Sequence, residues 1–104
     1  MKPSVSYKTY LLEDLKDPET AARFLNAVLE TGHREAFLSS LRDVVAAHGG
    51  ISKMARKTKL HRQTLHRILS SSGNPEIESL ERILSVIGLR LFVGIDSSSV
   101  RRAA

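Results

Sequence analysis

The chain has 104 residues, of which 41% are hydrophobic, 16 are lysine or arginine and 11 are aspartate or glutamate, so its formal net charge is +5. This length predicts one small domain with a single core, and the absence of cysteine excludes disulfides, thiolate metal sites and a thiol nucleophile. No apolar run has the length of a signal-peptide core or of the roughly 20 residues that span a membrane, which predicts a soluble cytoplasmic protein with no membrane partner.

The first part of the chain is predicted to contain an arm and two helices. Residues 1–16 mix tyrosine and leucine with polar side chains, and we predict an extended N-terminal arm there. A helix is predicted to begin at Asp17, because its side chain can cap free N–H groups and Pro18 suits the first helical position. Gly32 ends this helix. A second helix is predicted from about Arg34 to Ala47, where apolar residues recur at helical spacing.

Residues 51–70 contain six of the sixteen basic side chains and none of the eleven acidic ones, which leaves the other 84 residues with a net charge of −1. Two short helices are predicted here, at about 51–58 and 62–70, with apolar residues spaced as in a helix-turn-helix. Ala55 is the small residue that this motif needs where its two helices approach most closely. A concentrated positive patch on such a motif is typical of DNA-binding surfaces.

The last part of the chain changes its periodicity. A fifth helix is predicted from Glu76 to its stop at Gly88. Residues 89–96 instead show the alternation of a β-strand, in which every second residue is apolar. These apolar residues are Leu89, Leu91, Val93 and Ile95. A single strand must pair with the N-terminal arm, with its copy in a second subunit or with a partner protein, because it cannot satisfy its own backbone.

The predicted fold is therefore all-α, with a five-helix bundle in residues 17–88 and a short C-terminal strand. Residues 97–104 are predicted to be a flexible tail. His61 and His66 lie five residues apart and do not share a helix face, so no metal site is expected. No catalytic site is expected either, since serine, histidine and aspartate occur without a nucleophile elbow or a glycine-rich loop.

A resemblance to a known family rests on three segments, which read YLLEDLKDPETAARFLNAVLETG, FLSSLRDVVAAHGGISKMARKTKLHRQTLHRILSSSGNP and ESLERILSVIGLRLFV. The chain resembles proteins with the Cro/repressor-type helix-turn-helix, and more specifically the addiction-module antidote family of bacterial toxin–antitoxin systems. Two residues depart from the pattern: Lys59 replaces the usual turn glycine, and His61 replaces the usual serine or threonine cap. Lys59 must therefore accept a left-handed or strained backbone, at a cost of about 1 kcal/mol.

The resemblance implies an antitoxin that neutralises a RelE/ParE-like toxin and represses its own operon, with no enzymatic activity and no cofactor. It places base-reading side chains on the second helix of the motif, at Arg62, Gln63, Thr64, His66 and Arg67. Arginine can form two hydrogen bonds with guanine, and glutamine two with adenine. Contacts to DNA phosphates are expected from Lys53, Lys57, Lys59, Ser70 and Asn74.

One recognition helix reads only a few base pairs, so a homodimer on two half-sites of double-stranded operator DNA is predicted. The C-terminal strand is the favoured dimer surface, and the N-terminal region is the favoured toxin surface. Two alternatives stay open. One is a Cro-like regulator without a toxin partner, and the other is a protein-interaction bundle with no DNA role.

Overall fold

The computed structural model describes residues 7–96, and all the regular secondary structure in this part of the chain is helical. Its elements are α1 (Tyr7–Leu15), α2 (Pro18–Leu29), α3 (Arg34–Ala47), α4 (Gly50–Thr58), α5 (Arg62–Ile68) and α6 (Ile77–Ile87). The all-α prediction is confirmed, and five of the six helices are the predicted ones. The predicted tail at 97–104 lies outside the described residues.

The first predicted helix begins as expected. The Asp17 carboxylate accepts hydrogen bonds from the Thr20 hydroxyl at 2.8 Å and from the Thr20 backbone N–H at 3.1 Å. Pro18 is the first residue of α2. These hydrogen bonds, the one from the hydroxyl first, lower the pKa of the Asp17 carboxyl because they stabilise its charged form.

The prediction of an extended arm over residues 1–16 is wrong for residues 7–15, which form α1. Leu15 is buried in the core, and its carbonyl oxygen lies 3.0 Å from the Nε2 atom of His48, the residue that caps the carboxyl end of α3. At the other end of α1, Lys8 pairs with Asp43 of α3 at 3.3 Å. A nine-residue helix is marginal by itself, so packing on α3 stabilises a conformation that the local sequence only weakly favours.

One core joins all six helices, with α3 in the centre, where it contacts α1, α2, α4 and α6. The buried apolar side chains of this core are Leu15, Ala21, Leu25, Leu41, Val44, Val45, Met54, Leu65, Ile68, Leu69, Ile83, Leu84 and Ile87. The arrangement leaves α4 and α5 at one side of the molecule, with α4 packed against α3, α5 and α6.

The predicted C-terminal strand is not formed. Residues 89–96 contain no helix, turn or bend either. Gly88, which has a φ of 94°, caps the carboxyl end of α6, and the Leu89 N–H donates to the Leu84 carbonyl at 2.8 Å, as in a Schellman motif. A strand needs a neighbour to complete its hydrogen bonds. Residues 7–15 cannot supply that neighbour, since they are helical.

Candidate nucleic-acid interface

A turn of three residues, 59–61, joins α4 to α5. Lys59 has φ 67° and ψ 18°, which is left-handed, and its N–H donates to the Ala55 carbonyl at 3.0 Å. Among residues 7–96, Lys59 is the one residue other than glycine with a positive φ. The expectation that Lys59 adopts the backbone conformation usual for a turn glycine is therefore confirmed.

Thr58 fixes the start of this turn and was not predicted as a functional residue. Its buried hydroxyl donates to the Met54 carbonyl at 2.7 Å and accepts from the Leu60 N–H at 3.2 Å. The signal for its inward position was present in the sequence, because Ile51, Met54, Ala55 and Thr58 follow helical spacing. The hydroxyl lets a residue on the core face of α4 stabilise the polar backbone of the turn.

Two arginines from other helices hold the carboxyl ends of α4 and α5. Arg82 of α6 donates from Nη1 to the Thr58 carbonyl at 3.3 Å, while its Nη2 pairs with Glu78 at 2.9 Å. Arg42 of α3 donates to the carbonyl of Leu69, the residue that caps α5. Helix carboxyl ends carry unpaired carbonyls and partial negative charge, so cations stabilise them. Sequence spacing holds no signal for either contact, since both partners are distant in the chain.

Helix α5 turns one face to solvent and the other to the core. Leu65 and Ile68 are buried, and Thr64 is partly buried. The remaining base-reading candidates are exposed: Arg62, Gln63, His66 and Arg67. Residues four apart share a helix face, so Arg62 lies beside His66 and Gln63 beside Arg67. The His61 side chain caps no N–H group, which agrees with the expectation of a weak cap.

The structure divides the phosphate candidates into two groups. Lys53, Lys57 and Lys59 are exposed, and the first two share a face of α4 because they are four residues apart. The Ser70 hydroxyl, in contrast, donates to the Arg67 carbonyl at 2.7 Å. Asn74 accepts a hydrogen bond from Arg34 at 3.1 Å through its Oδ1 atom, which leaves its side-chain NH₂ as the group that could donate to a phosphate.

The positive charge of residues 51–70 is not neutralised by ion pairs within the described part of the chain. The ion pairs between residues 7 and 96 join Lys8 to Asp43, Lys16 to Glu13, Arg23 to Glu19 and Arg82 to Glu78. All four pairs lie outside residues 51–70. The field of six basic side chains is therefore directed to solvent, where it attracts polyanions.

The residues that were predicted to form a partner strand make up a second exposed surface. Leu89 is partly buried, and Leu91, Val93 and Ile95 are exposed. Beside this segment, a groove of about 690 Å³ lies between α2 and the end of α6. Leu89 and Leu91 line this groove, whereas Val93 and Ile95 do not, and the segment forms no strand.

The described residues contain neither a metal-binding cluster nor a helix that could span a membrane. Between residues 7 and 96, no three histidine, cysteine, aspartate or glutamate side chains are grouped so that they could hold a metal ion. None of the helices in this range is long and apolar enough to cross a membrane.

Comparisons with known proteins agree with the resemblance that the sequence carries. Residues 7–95 match the family described as "Probable addiction module antidote protein". The chain is also 30% identical, over 81 residues, to a protein of Haemophilus influenzae described only as "Uncharacterized protein". That alignment covers 78% of this chain and 82% of the relative. No solved structure matches the chain.

Proposed function

The chain belongs to the addiction module antidote family, and from this premise we propose that it neutralises a RelE/ParE-like toxin and represses its own operon as a homodimer on DNA. Membership of the family implies an antitoxin role and a toxin partner in general. The RelE/ParE class of the toxin follows from the sequence resemblance. The DNA-binding and dimeric parts of the proposal rest on the surfaces described above.

The exposed face of α5 carries the DNA-binding part of the proposal. We interpret α4, the turn at Lys59 and α5 as a helix-turn-helix, with α5 as the recognition helix. Arg62 and Gln63 lie in its first turn, where a recognition helix contacts base edges, and each can form two hydrogen bonds with one base. His66 and Arg67 lie one turn further. Thr64, being partly buried, is suited to a thymine methyl or a nearby phosphate.

The exposed lysines supply the sequence-independent part of this binding. Lys53, Lys57 and Lys59 extend the positive surface from α5 along α4, so they would contact the phosphates beside the groove. Asn74 can join them through its NH₂ group without breaking its hydrogen bond to Arg34. Ser70 must turn its hydroxyl away from the Arg67 carbonyl before it can donate to a phosphate.

A DNA titration tests this part directly. The wild-type protein is titrated with the DNA upstream of its own gene and with a scrambled fragment of equal length, at two salt concentrations. We expect tight binding to the upstream fragment, with a steep decrease at the higher salt. Arg62→Ala and Gln63→Ala should each weaken that binding by about 1 to 3 kcal/mol and relax the preference at one base pair.

The matched control is Arg23→Ala, because Arg23 is an exposed arginine on α2 and pairs only with Glu19 in the described structure. This variant should bind the upstream fragment nearly as tightly as the wild type. Equal and weak binding of the wild type to both fragments would leave only electrostatic attraction, and would contradict the autorepressor proposal.

Helix α1 is the proposed toxin surface. Tyr7 and Tyr10 lie one turn apart and are both exposed, at 80% and 64%. Large exposed aromatic side chains are typical of protein interfaces. Removal of residues 1–16 would not test this surface, because it would also remove Leu15 from the core. The variants Tyr7→Ala and Tyr10→Ala leave the core intact.

The toxin part is tested with the protein encoded beside this gene, co-expressed with wild type or variant in growing cells. We expect the wild type to restore growth and to co-purify with that protein. The double variant Tyr7→Ala/Tyr10→Ala should restore growth less and co-purify less. Ile77→Ala is the control, since Ile77 is an exposed apolar residue on α6, at 69%. Equal protection by both variants would exclude α1 as the toxin surface.

A further inference from the structure

We propose that residues 89–95 of two copies pair as antiparallel strands, with the two-fold axis at Phe92, and that this pairing is the dimer interface. The inference rests on the homodimer of the proposed function and specifies its surface and register. It concerns the protein without DNA, so that it can be tested and can fail separately from DNA binding.

The first support is the state of residues 89–95 in the single chain. The segment has neither turn nor bend, so it is already suited to a strand. Three of its apolar side chains have little cover: Val93 is exposed at 97%, Ile95 at 83% and Phe92 at 77%. A row of apolar side chains on an unpaired straight segment is a surface that favours addition of another strand.

The second support is that the sequence of this segment is complementary to itself. In a two-fold antiparallel pair centred on Phe92, Leu89 lies opposite the partner's Ile95. Leu91 lies opposite the partner's Val93. Both pairs occur twice, as two-fold symmetry requires, so all four alternating apolar residues face apolar residues.

Other registers lose this complementarity. A shift by one residue would place the alternating apolar residues opposite Gly88, Arg90, Phe92, Gly94 or Asp96, and would mix the two faces. A shift by two residues in one direction would place Leu89 opposite Ser97. In the other direction it would require Ile95 to pair with Ile87, which is buried in α6. The register centred on Phe92 is the one that pairs every apolar residue.

Charge favours the same register. Arg90 lies opposite the partner's Gly94, so the two arginines do not face each other. Like charges directly opposite would weaken the pair, and this register contains none.

The groove beside the segment gives the paired strands a surface to pack on. It is lined on one side by α2, where Leu29 is exposed, and on the other by Leu91 and Phe92. A second copy of residues 89–95 brings apolar side chains to this groove and covers it. A second copy therefore supplies hydrogen-bond partners for the backbone of residues 89–95 and covers the apolar wall of the groove.

Cysteine cross-linking tests the register, because the chain has no cysteine of its own. A chain with Phe92→Cys should form a covalent dimer with an oxidant or a short bis-maleimide. Chains with Arg90→Cys or Gly94→Cys should cross-link poorly alone, because each residue lies about 14 Å along the strand from its own copy. A mixture of these two variants should cross-link, since positions 90 and 94 lie opposite each other. A β-carbon at Gly94 meets no atom within 4 Å, so this substitution does not disturb the chain.

A charge on the apolar face tests the interface itself. Sedimentation equilibrium over a concentration series should give twice the chain mass for the wild type. Val93→Asp should raise the dissociation constant of the dimer by about a hundredfold, because two aspartates are buried opposite leucine. Ile77→Asp makes a similar change at an exposed apolar residue outside the groove and should leave the dimer intact.

Three results would overturn the proposal. One is a wild-type protein that stays monomeric over the whole concentration series. This result would overturn the proposal even if Val93→Asp weakened binding to the toxin. Another is a Val93→Asp protein that dimerises as well as Ile77→Asp. The third is efficient cross-linking of Arg90→Cys alone. Absence of operator binding by a protein that passes these tests would instead contradict the proposed function and leave the dimer standing.

Discussion

The backbone strain and the charge of Lys59 can be separated by two substitutions. Lys59 is held at φ 67° and ψ 18°, where a residue with a β-carbon is less stable than glycine by about 1 to 2 kcal/mol. Glycine loses more backbone entropy on folding, by about 0.5 to 1 kcal/mol, which offsets part of this gain. We therefore expect Lys59→Gly to raise the free energy of unfolding by about 1 kcal/mol. The reference is Lys59→Ala, which removes the same charge but keeps the β-carbon.

The assay is urea unfolding monitored by circular dichroism, and the DNA titration is measured in parallel. For a domain of this size, about 1 kcal/mol corresponds to an increase of about 4 to 8 °C in the melting temperature. Both variants should bind the upstream DNA more weakly than the wild type and lower the salt slope by about 1, because both lose the same phosphate contact. Stabilisation should appear in Lys59→Gly alone.

Equal stability of Lys59→Gly and Lys59→Ala would refute the strain argument. A difference between the two in DNA affinity would show that the turn conformation also affects the placement of α5. Lys59→Asn provides an intermediate point, because asparagine tolerates the left-handed region better than most residues.

The remaining predictions concern the hydrogen bonds of Thr58 and Arg82 at the turn and the Asp17 cap of α2. Thr58→Val should lower the free energy of unfolding by about 1 to 3 kcal/mol, because the Leu60 N–H loses its acceptor, while Thr58→Ser should retain most of the stability. Arg82→Met should lower the urea midpoint and weaken DNA binding, with partial recovery in Arg82→Lys. Asp17→Ala should unfold at lower urea near neutral pH. Since folding lowers the pKa of Asp17, its contribution is present above the ordinary value of 3.8 and is lost as pH falls through the lower folded value, so the deficit should shrink in acid.

A Thr58→Val protein as stable as the wild type would mean that the turn does not depend on the hydroxyl. If Arg82→Met folds normally and binds DNA with unchanged affinity, the contact of Arg82 at the end of α4 does not affect the placement of α5. A deficit of Asp17→Ala that stays constant between neutral and acidic pH would exclude the charged cap as its cause.

Signals within single helices were sufficient for most of the fold. The cap at Asp17, the stop at Gly88 and the apolar spacing between them predicted α2 to α6 with boundaries close to the observed ones. Caps and helical spacing depend on residues only three or four apart, so a single sequence contains them in full. The left-handed conformation of Lys59 was also predicted, because the turn of the motif requires it.

Features that depend on distant residues were missed or wrongly predicted. Residues 7–15 were predicted as an extended arm but form helix α1. The prediction failed because the helical state depends on contacts with α3 through Leu15 and His48. The contacts of Arg42 and Arg82 with the ends of α5 and α4 were not predicted. These contacts join residues more than 20 positions apart, so no local pattern contains them.

The sequence by itself determined the helical class, five of the helices, the basic window and the family to which the chain belongs. The tertiary structure alone decided that residues 7–15 are helical, which side chains of α5 reach solvent, and that residues 89–96 form no strand in the single chain. Helix propensity, caps and charge are local properties, whereas burial and strand pairing need a neighbour from elsewhere in the chain or from a second molecule. The packed helices therefore present the α5 face to solvent, and no strand of residues 7–96 lies beside the last apolar segment.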